Sequence, residues 1–134
     1  MANKNDLTTV FVRLKAIIAP YAKKKMDVAV DNQTHYQLNT RHIMRNRQPL
    51  CFGGVRMGKN YVSFYLMSLY ASPGDAQRIS SELKKRMQGK SCFNFKVIDE
   101  KLFSELAGLT KAGAAKFNDE KFIDGLRKLQ AARH

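Results

Sequence analysis

Two apolar runs near the middle of the chain decide its fold: YVSFYL at residues 61–66 and GKSCFNFK at residues 89–96. The first run is almost continuously apolar, which predicts a central strand covered on both faces. The second run alternates aromatic and polar residues, as a strand with one buried face does. Its two faces are expected to carry Phe93, Phe95 and Val97 on one side and Cys92, Asn94 and Lys96 on the other.

The residues that flank the first run predict a hairpin and a helix. Residues 50–57 form another apolar run, and Gly58-Lys59-Asn60 supplies a connection that tolerates positive φ. The pair Gly53-Gly54 indicates a bulge or a close backbone approach, because the rest of a phosphate-binding loop is absent. Ser72-Pro73 predicts the start of one amphipathic helix, and Gly89 predicts its end.

The outer segments complete an α+β pattern. A helix is predicted over about residues 6–25, ended or kinked by Pro20, and helices over about 99–131, the first capped by Asp99 and broken by Gly113 and Asn118. Residues 34–40 alternate as a strand does. This order predicts a single domain over residues 1–134, built as a single-layer antiparallel sheet of about four to five strands with helices packed on it.

The composition predicts one packed core. A chain of 134 residues with 44% apolar residues is large enough to fold without disulfides or metals. Cys51 and Cys92 lie in apolar runs and are expected to be buried free thiols, as in proteins of a reducing compartment. No run has the length of a membrane span, and no secretory segment opens the chain, so a cytoplasmic location is expected.

The charge is the one extreme of the composition. The formal net charge is +13 and the excess is spread along the chain, so the folded surface attracts polyanions and anionic ligands. Solubility alone is the competing explanation. The densest basic cluster contains Arg41, His42, Arg45 and Arg47, and it is predicted to be an exposed turn that faces phosphate groups.

The central runs resemble a known family. Residues 51–67 and 83–95 look like the YdhG-like domain of unknown function, found in small bacterial proteins. KNYVSF at 59–64 stands in place of a K-H-I-G-F-Y motif, and GKSCFNF at 89–95 in place of G-K-x-x-x-x-F. The resemblance covers roughly residues 30–112 and implies an α/β sandwich on an antiparallel sheet.

One bacillar member is frataxin-like and is linked to iron and iron–sulfur assembly. Here Asn60 replaces the motif histidine, and none of the 11 acidic residues clusters in the hairpin or in the Gly89 turn, so we do not expect that role to carry over.

Two glycine-lysine turns provide the candidate ligand site. Lys59 and Lys90 each follow a glycine beside a strand, where amide groups and an ammonium can converge on an anion. Gly89 would give backbone access and Ser91 a hydroxyl, provided that both turns lie at the same end of the sheet. Turns favour glycine and lysine in any case, so a purely structural explanation stays open.

Other functional classes find little support in the sequence. The possible metal ligands Cys51, Cys92, His35 and His42 lack ligand spacing, so neither a metal nor a cofactor is expected. Cys92 with His42 as a nucleophile and base is equally unsupported, and whether the chain is an enzyme stays open.

The leading hypothesis is binding of a small anionic ligand. The alternatives are sequence-nonspecific nucleic-acid binding, with Tyr61 or Tyr65 as stacking rings, a frataxin-like iron role, or an unidentified enzyme. No membrane partner is expected, and the oligomeric state is left open.

Overall fold

The computed structural model describes residues 6–23, 26–71, 73–89 and 91–132, with backbone alone at 70, 71, 73 and 129–132. The helices are α1 (Leu7–Ile18), α2 (Ser68–Ala71), α3 (Pro73–Gln77), α4 (Ser81–Lys84), α5 (Glu100–Lys116) and α6 (Glu120–Ala132). The strands are β1 (Met26–Asp31), β2 (His35–Ile43), β3 (Pro49–Met57), β4 (Val62–Leu66), β5 (Met87–Gln88) and β6 (Cys92–Phe95).

The strands form one antiparallel sheet in the order β1-β2-β3-β4-β6-β5. The predicted α+β class is therefore confirmed, with six strands where four to five were expected. The two additions are β1, whose side chains are mostly exposed, and the two-residue β5 at the opposite edge. Neither strand buries enough apolar surface to leave a clear period-two pattern in the sequence.

The helices cover one face of this sheet. In β2, β4 and β6 alternate residues are buried beneath them. Aromatic rings of the two layers meet edge to face, Phe52 with Phe117 at 5.5 Å and Phe95 with Phe103 at 5.0 Å between centroids. These pairs contribute about 1 kcal/mol each beyond the area that they bury. The buried strand residues on this face include Tyr36, Leu38, Phe52, Val55, Val62, Phe64, Leu66, Phe93 and Phe95.

The predicted strand over 61–66 is covered on one face, so the expectation of two covered faces is wrong. Val62, Phe64 and Leu66 are fully buried, whereas Ser63 and Tyr65 are half-buried. The run looked continuously apolar because a tyrosine ring is mostly hydrocarbon. Its hydroxyl, however, needs a polar partner, which the other face of the sheet supplies.

The single helix predicted between Ser72 and Gly89 is also wrong, and Ser72 itself lies outside the described residues. The chain instead forms α3, α4 and β5. The break is fixed by Ser80, whose hydroxyl accepts from the amide of Leu83 at 3.1 Å and donates to Glu105 at 2.7 Å. This serine caps α4 and ties it to α5, so a new helix begins where the apolar pattern alone suggested continuity.

The long helices follow their predicted signals closely. Helix α1 ends at Ile18 and continues as one 3-10 turn that contains Pro20. Asp99 caps α5, and Asn118 follows the end of that helix. Gly113 does not break α5 as expected, because it is buried inside the helix with Ser68 of α2 packed directly against it. None of the helices in the described part of the chain combines the length and the apolar character that crossing a bilayer requires.

Two irregularities shape the strands. Leu38 pairs with Gly53 but the next residue, Asn39, pairs with Cys51, so Phe52 and Gly53 together form a bulge in β3. A β-carbon on Gly53 would meet the backbone oxygen of Tyr65, so both predicted roles of the glycine pair are confirmed. The second irregularity interrupts the pairing of β1 with β2, between Val28 and Val30.

Candidate functional site

The face of the sheet that the helices leave uncovered is polar. Strand alternation places on it the residues that lie between the core positions, and these are half-buried or exposed. Side chains on this face form hydrogen bonds with one another across the strands, and this polar surface is the candidate site. Its members are His35, Gln37, Asn39, Arg41, Cys51, Arg56, Ser63, Tyr65, Cys92 and Asn94, together called the uncovered face.

A chain of side-chain hydrogen bonds runs across β4 and β2. The Tyr65 hydroxyl lies 2.9 Å from Nε2 of His35 and donates to Oε1 of Gln37, also at 2.9 Å. Nε2 of Gln37 then donates to Oδ1 of Asn39 at 2.9 Å. The ring of Tyr65 reaches β2 because Gly54 lies between them in β3 and carries no side chain.

This chain fixes the protonation of His35. A neutral tyrosine has one proton to donate, and Tyr65 gives it to Gln37, so its oxygen accepts from His35. The proton of the neutral imidazole therefore lies on Nε2, which leaves a lone pair on Nδ1. Burial lowers the pKa of His35 below 6.5, and the positive charge of Arg56 lowers it further, so the ring is neutral near pH 7.

A second chain connects β4, β6 and β5. Ser63 donates its hydroxyl proton to Oδ1 of Asn94 at 2.6 Å, and Nδ2 of Asn94 donates to Oε1 of Gln88 at 2.7 Å. The register aligns His35, Arg56, Ser63 and Asn94 in one row across four adjacent strands. The row holds one permanent cation among neutral hydrogen-bonding groups.

The charge on the uncovered face is positive. Asp27 is the one carboxylate that strand alternation places there among the described residues, and it pairs with Arg41 at 3.1 Å. Arg56 is exposed, and no carboxylate of the described residues forms a salt bridge with it. Burial raises the pKa of Tyr65, and the charge of Arg56 opposes that rise only in part, whereas at His35 burial and Arg56 both lower the pKa. The guanidinium thus keeps donors available for an external anion.

Both cysteines lie on the uncovered face, beside Tyr65. They are free thiols, as predicted, but half-buried rather than buried, because Phe52 and Phe93 take the neighbouring core positions. Cys92 pairs directly with Tyr65 across β4 and β6. Burial of the sulfur raises the pKa of Cys51 to about 12, so this thiol is protonated and poorly nucleophilic.

The two glycine-lysine turns do not meet. Val62 at the start of β4 pairs with Phe95, and the amide of Leu66 at its end donates to the backbone oxygen of Ser91. The turn with Lys59 and the turn with Gly89 and Ser91 therefore lie at opposite ends of β4. A five-residue strand separates them by roughly 16 Å. The expectation that they share one end of the sheet is wrong, because antiparallel pairing reverses the direction of β6. Lys90 lies outside the described residues.

Two other basic residues lie at the same end of the sheet as Lys59. Arg56 precedes it at the end of β3, and Lys96 follows Phe95, which pairs with Val62 at the same end of the sheet. All three side chains are exposed. These three are called the hairpin-end cations. Arg56 belongs to the row that contains His35 and Ser63, and the two lysines lie beyond that row at the same end of the sheet.

The predicted Arg/His turn lies at the far end of the sheet. Arg41 and His42 belong to β2 rather than to a turn, and only Arg45 and Arg47 lie in the connection between β2 and β3. Arg41 is held by Asp27, while Nε2 of His42 lies 2.9 Å from the carbonyl of Phe117 on the helix side. Arg41 and His42 therefore lie on opposite faces of the sheet, as alternation along a strand requires.

Other predicted chemistry is not assembled. Cys92 lies on the uncovered face and His42 on the helix side of β2, so the sheet separates this possible nucleophile and base. Across residues 6–23, 26–71, 73–89 and 91–132, no three His, Cys, Asp or Glu side chains are grouped as metal ligands are.

Most of the residues that form the candidate site were not singled out from the sequence. Gln37, Asn39, Arg56 and the partnership of His35 with Tyr65 emerge only once the strands are paired. A signal was present: polar residues occupy alternate positions in the runs at 35–40, 63–65 and 92–95. Several such strands in one sheet put their polar residues on a common face.

Comparisons with protein-family models, with curated proteins and with solved structures found no match to this chain. The resemblance to the YdhG-like family stays a prediction. The geometry defines an α+β protein with one helix-covered face and one polar, positively charged face.

Proposed function

We propose that this chain binds a small anionic ligand on the uncovered face, with Arg56 as the principal cation. The observation that carries the proposal is the setting of Arg56: exposed, without a carboxylate partner among the described residues, and in a row of neutral donors and acceptors. A guanidinium binds carboxylate and phosphate groups through two parallel hydrogen bonds, which favours these groups over a simple halide.

The neighbouring groups support the same ligand class. Ser63 and Asn94 lie in the row with Arg56, and the cations Lys59 and Lys96 lie at the same end. Lys59 thus keeps the role proposed for it, whereas Gly89 and Ser91 lie too far away to contribute to this site. A ligand with one or two phosphate groups matches a site with up to three cations.

The test is a thermal-shift titration with pyrophosphate at constant ionic strength. A ligand that binds only the folded state raises the melting temperature in proportion to its occupancy. We expect Arg56→Gln to lose most of the shift, and Lys59→Gln to lose part of it. Arg78→Gln is the matched control: it removes the same charge from an exposed arginine in the helical layer and should respond as the wild type does. An unchanged response in Arg56→Gln contradicts the proposal.

A second candidate is single-stranded nucleic acid. Arg41 and Arg56 lie at opposite ends of the uncovered face, about 20 Å apart along the strands, and Tyr65 lies between them. A strand that crosses the face would meet cations at both ends and one ring to stack on. This binding would weaken steeply with added salt, and it would involve Arg41. Pyrophosphate binding at Arg56 would not involve Arg41. Anisotropy of a labelled oligonucleotide with Arg41→Gln and Arg56→Gln separates the two candidates.

A further inference from the structure

We infer that His35 contacts the anion bound at Arg56 and couples its binding to the uptake of one proton, with protonated Nδ1 as a donor. This inference rests on the proposed function and adds a pH-dependent recognition group to the same site. His35 and Arg56 are direct partners across β2 and β3, so one ligand of phosphate size can contact both side chains.

The hydrogen bonds of His35 leave one ring atom for a ligand. Nε2 is committed to Tyr65, whose own proton goes to Gln37, and the orientation of Gln37 is set by its bond to Asn39. Nδ1 has no hydrogen-bond partner among the described residues. As a neutral ring, His35 presents a lone pair there, which repels an anion. With a second proton, Nδ1 becomes a charged donor beside Arg56.

The charged groups around His35 make the free site resist that proton. Arg56 of β3 repels it, and Tyr65 of β4 is neutral because burial raises the pKa of its hydroxyl. Asp31 of β1 is nearby in sequence, but it lies across from Tyr36 and pairs with Lys15 of α1 at 2.9 Å, on the helix side. Lys59 at the hairpin end adds a further positive charge.

A bound anion reverses this balance. It neutralises the charge of Arg56 and gives the protonated imidazole an acceptor, so both effects favour the charged form of His35. By linkage, the affinity for the anion then rises as the pH falls, about tenfold for each unit by which the anion raises the pKa of His35. The dependence reaches at most one proton per anion, because His35 has one titrating site.

The test is the affinity for sulfate between about pH 8 and about pH 5.5, the range in which histidine changes its charge and sulfate does not. Binding is followed by NMR shifts of the amides of residues 54–65. We expect the wild type and His42→Gln, a histidine on the helix side, to gain affinity by roughly three- to tenfold as the pH falls. His35→Gln should bind sulfate with an affinity that does not depend on pH.

The outcomes separate this inference from the function on which it rests. A pH-independent affinity in the wild type, or an undiminished pH dependence in His35→Gln, overturns the role of His35 while leaving an anion site at Arg56. Two results together overturn both the role of His35 and the anion site: no saturable sulfate shifts at any pH, and a thermal shift with pyrophosphate that is unchanged in Arg56→Gln. Direct titration of the imidazole carbons gives an independent check: saturating sulfate should raise the pKa of His35.

Discussion

Gly54 lies directly beneath the phenol ring of Tyr65. A β-carbon at position 54 would stand 2.7 Å from Cζ of that ring and closer still to the backbone oxygen of Tyr36. The absence of a side chain in β3 is what lets a residue of β4 reach across to His35 and Gln37 in β2. One glycine therefore sets the geometry of three strands.

The first prediction follows from this contact. Gly54→Ala should lower the free energy of unfolding by about 1–3 kcal/mol, because the new methyl group collides with a backbone atom that cannot move aside. Gly108→Ala is the control, since it lies in α5 with no atom near its β-carbon position and should stabilise the protein by about 0.5–1 kcal/mol. Urea denaturation measures both. Equal stabilities for Gly54→Ala and the wild type would disprove the close packing.

The hydroxyl of Tyr65 supports a further prediction. Tyr65→Phe keeps the ring but leaves Nε2 of His35 and Oε1 of Gln37 without their shared partner. We expect a loss of roughly 1 kcal/mol in unfolding free energy, and sulfate binding should lose part of its pH dependence because the tautomer of His35 is no longer fixed. Tyr21→Phe serves as the control, since the Tyr21 ring packs against Phe52 in the helix-covered core, away from the site.

His35 should also influence stability as a function of pH. Its pKa in the folded protein lies below 6.5, so below that pH the unfolded chain binds more protons than the folded one. The stabilisation from the neutral ring is present above pH 6.5 and is lost as the pH falls through the folded pKa. His35→Gln should therefore lose less stability than the wild type on acidification. Arg56→Gln should raise the pKa of His35 in an NMR titration; a value at or above 6.5 in the wild type would contradict the assignment.

The thiol of Cys51 should be nearly inert. With a pKa raised from 9.0 to about 12, its thiolate fraction near pH 8 is roughly a thousandfold below that of an unperturbed cysteine. In the variant Cys92→Ala, alkylation of Cys51 should be slow in the folded protein. In denaturant the rate should rise by roughly the same factor of a thousand. Fast modification under native conditions would show that the thiol is open to solvent and easily ionised.

Local signals in the sequence predicted much of the fold. The cap at Asp99, the turn at 58–60 and the alternation at 92–95 each depend on a few neighbouring residues, and each is present in the structure. Strand β1 escaped prediction because it lies at the sheet edge with mostly exposed side chains, so burial imposes no pattern on it. The restart of a helix at Ser80 depends on Glu105, a residue 25 positions away.

The candidate site was harder to predict because it depends on strand pairing. The period-two pattern correctly separated Cys92 and Asn94 from Phe93 and Phe95. It could not show that β6 runs antiparallel to β4. Because of this direction, Ser91 lies at the opposite end of β4 from Lys59. Nor could it show that His35, Arg56 and Ser63, the first and last of them 28 positions apart in the sequence, share one row.

The irregular pairing between Val28 and Val30 also affects how the molecule behaves in concentrated solution. An edge strand with a regular row of free amide and carbonyl groups is a template for adding strands from other molecules, and this leads to aggregation. In β1 that row is interrupted halfway, with Asp27 and Asp31 on either side of the interruption. The opposite edge, β5, is only two residues long. Neither edge offers an incoming chain a continuous ladder, which protects the sheet from fibrillar growth.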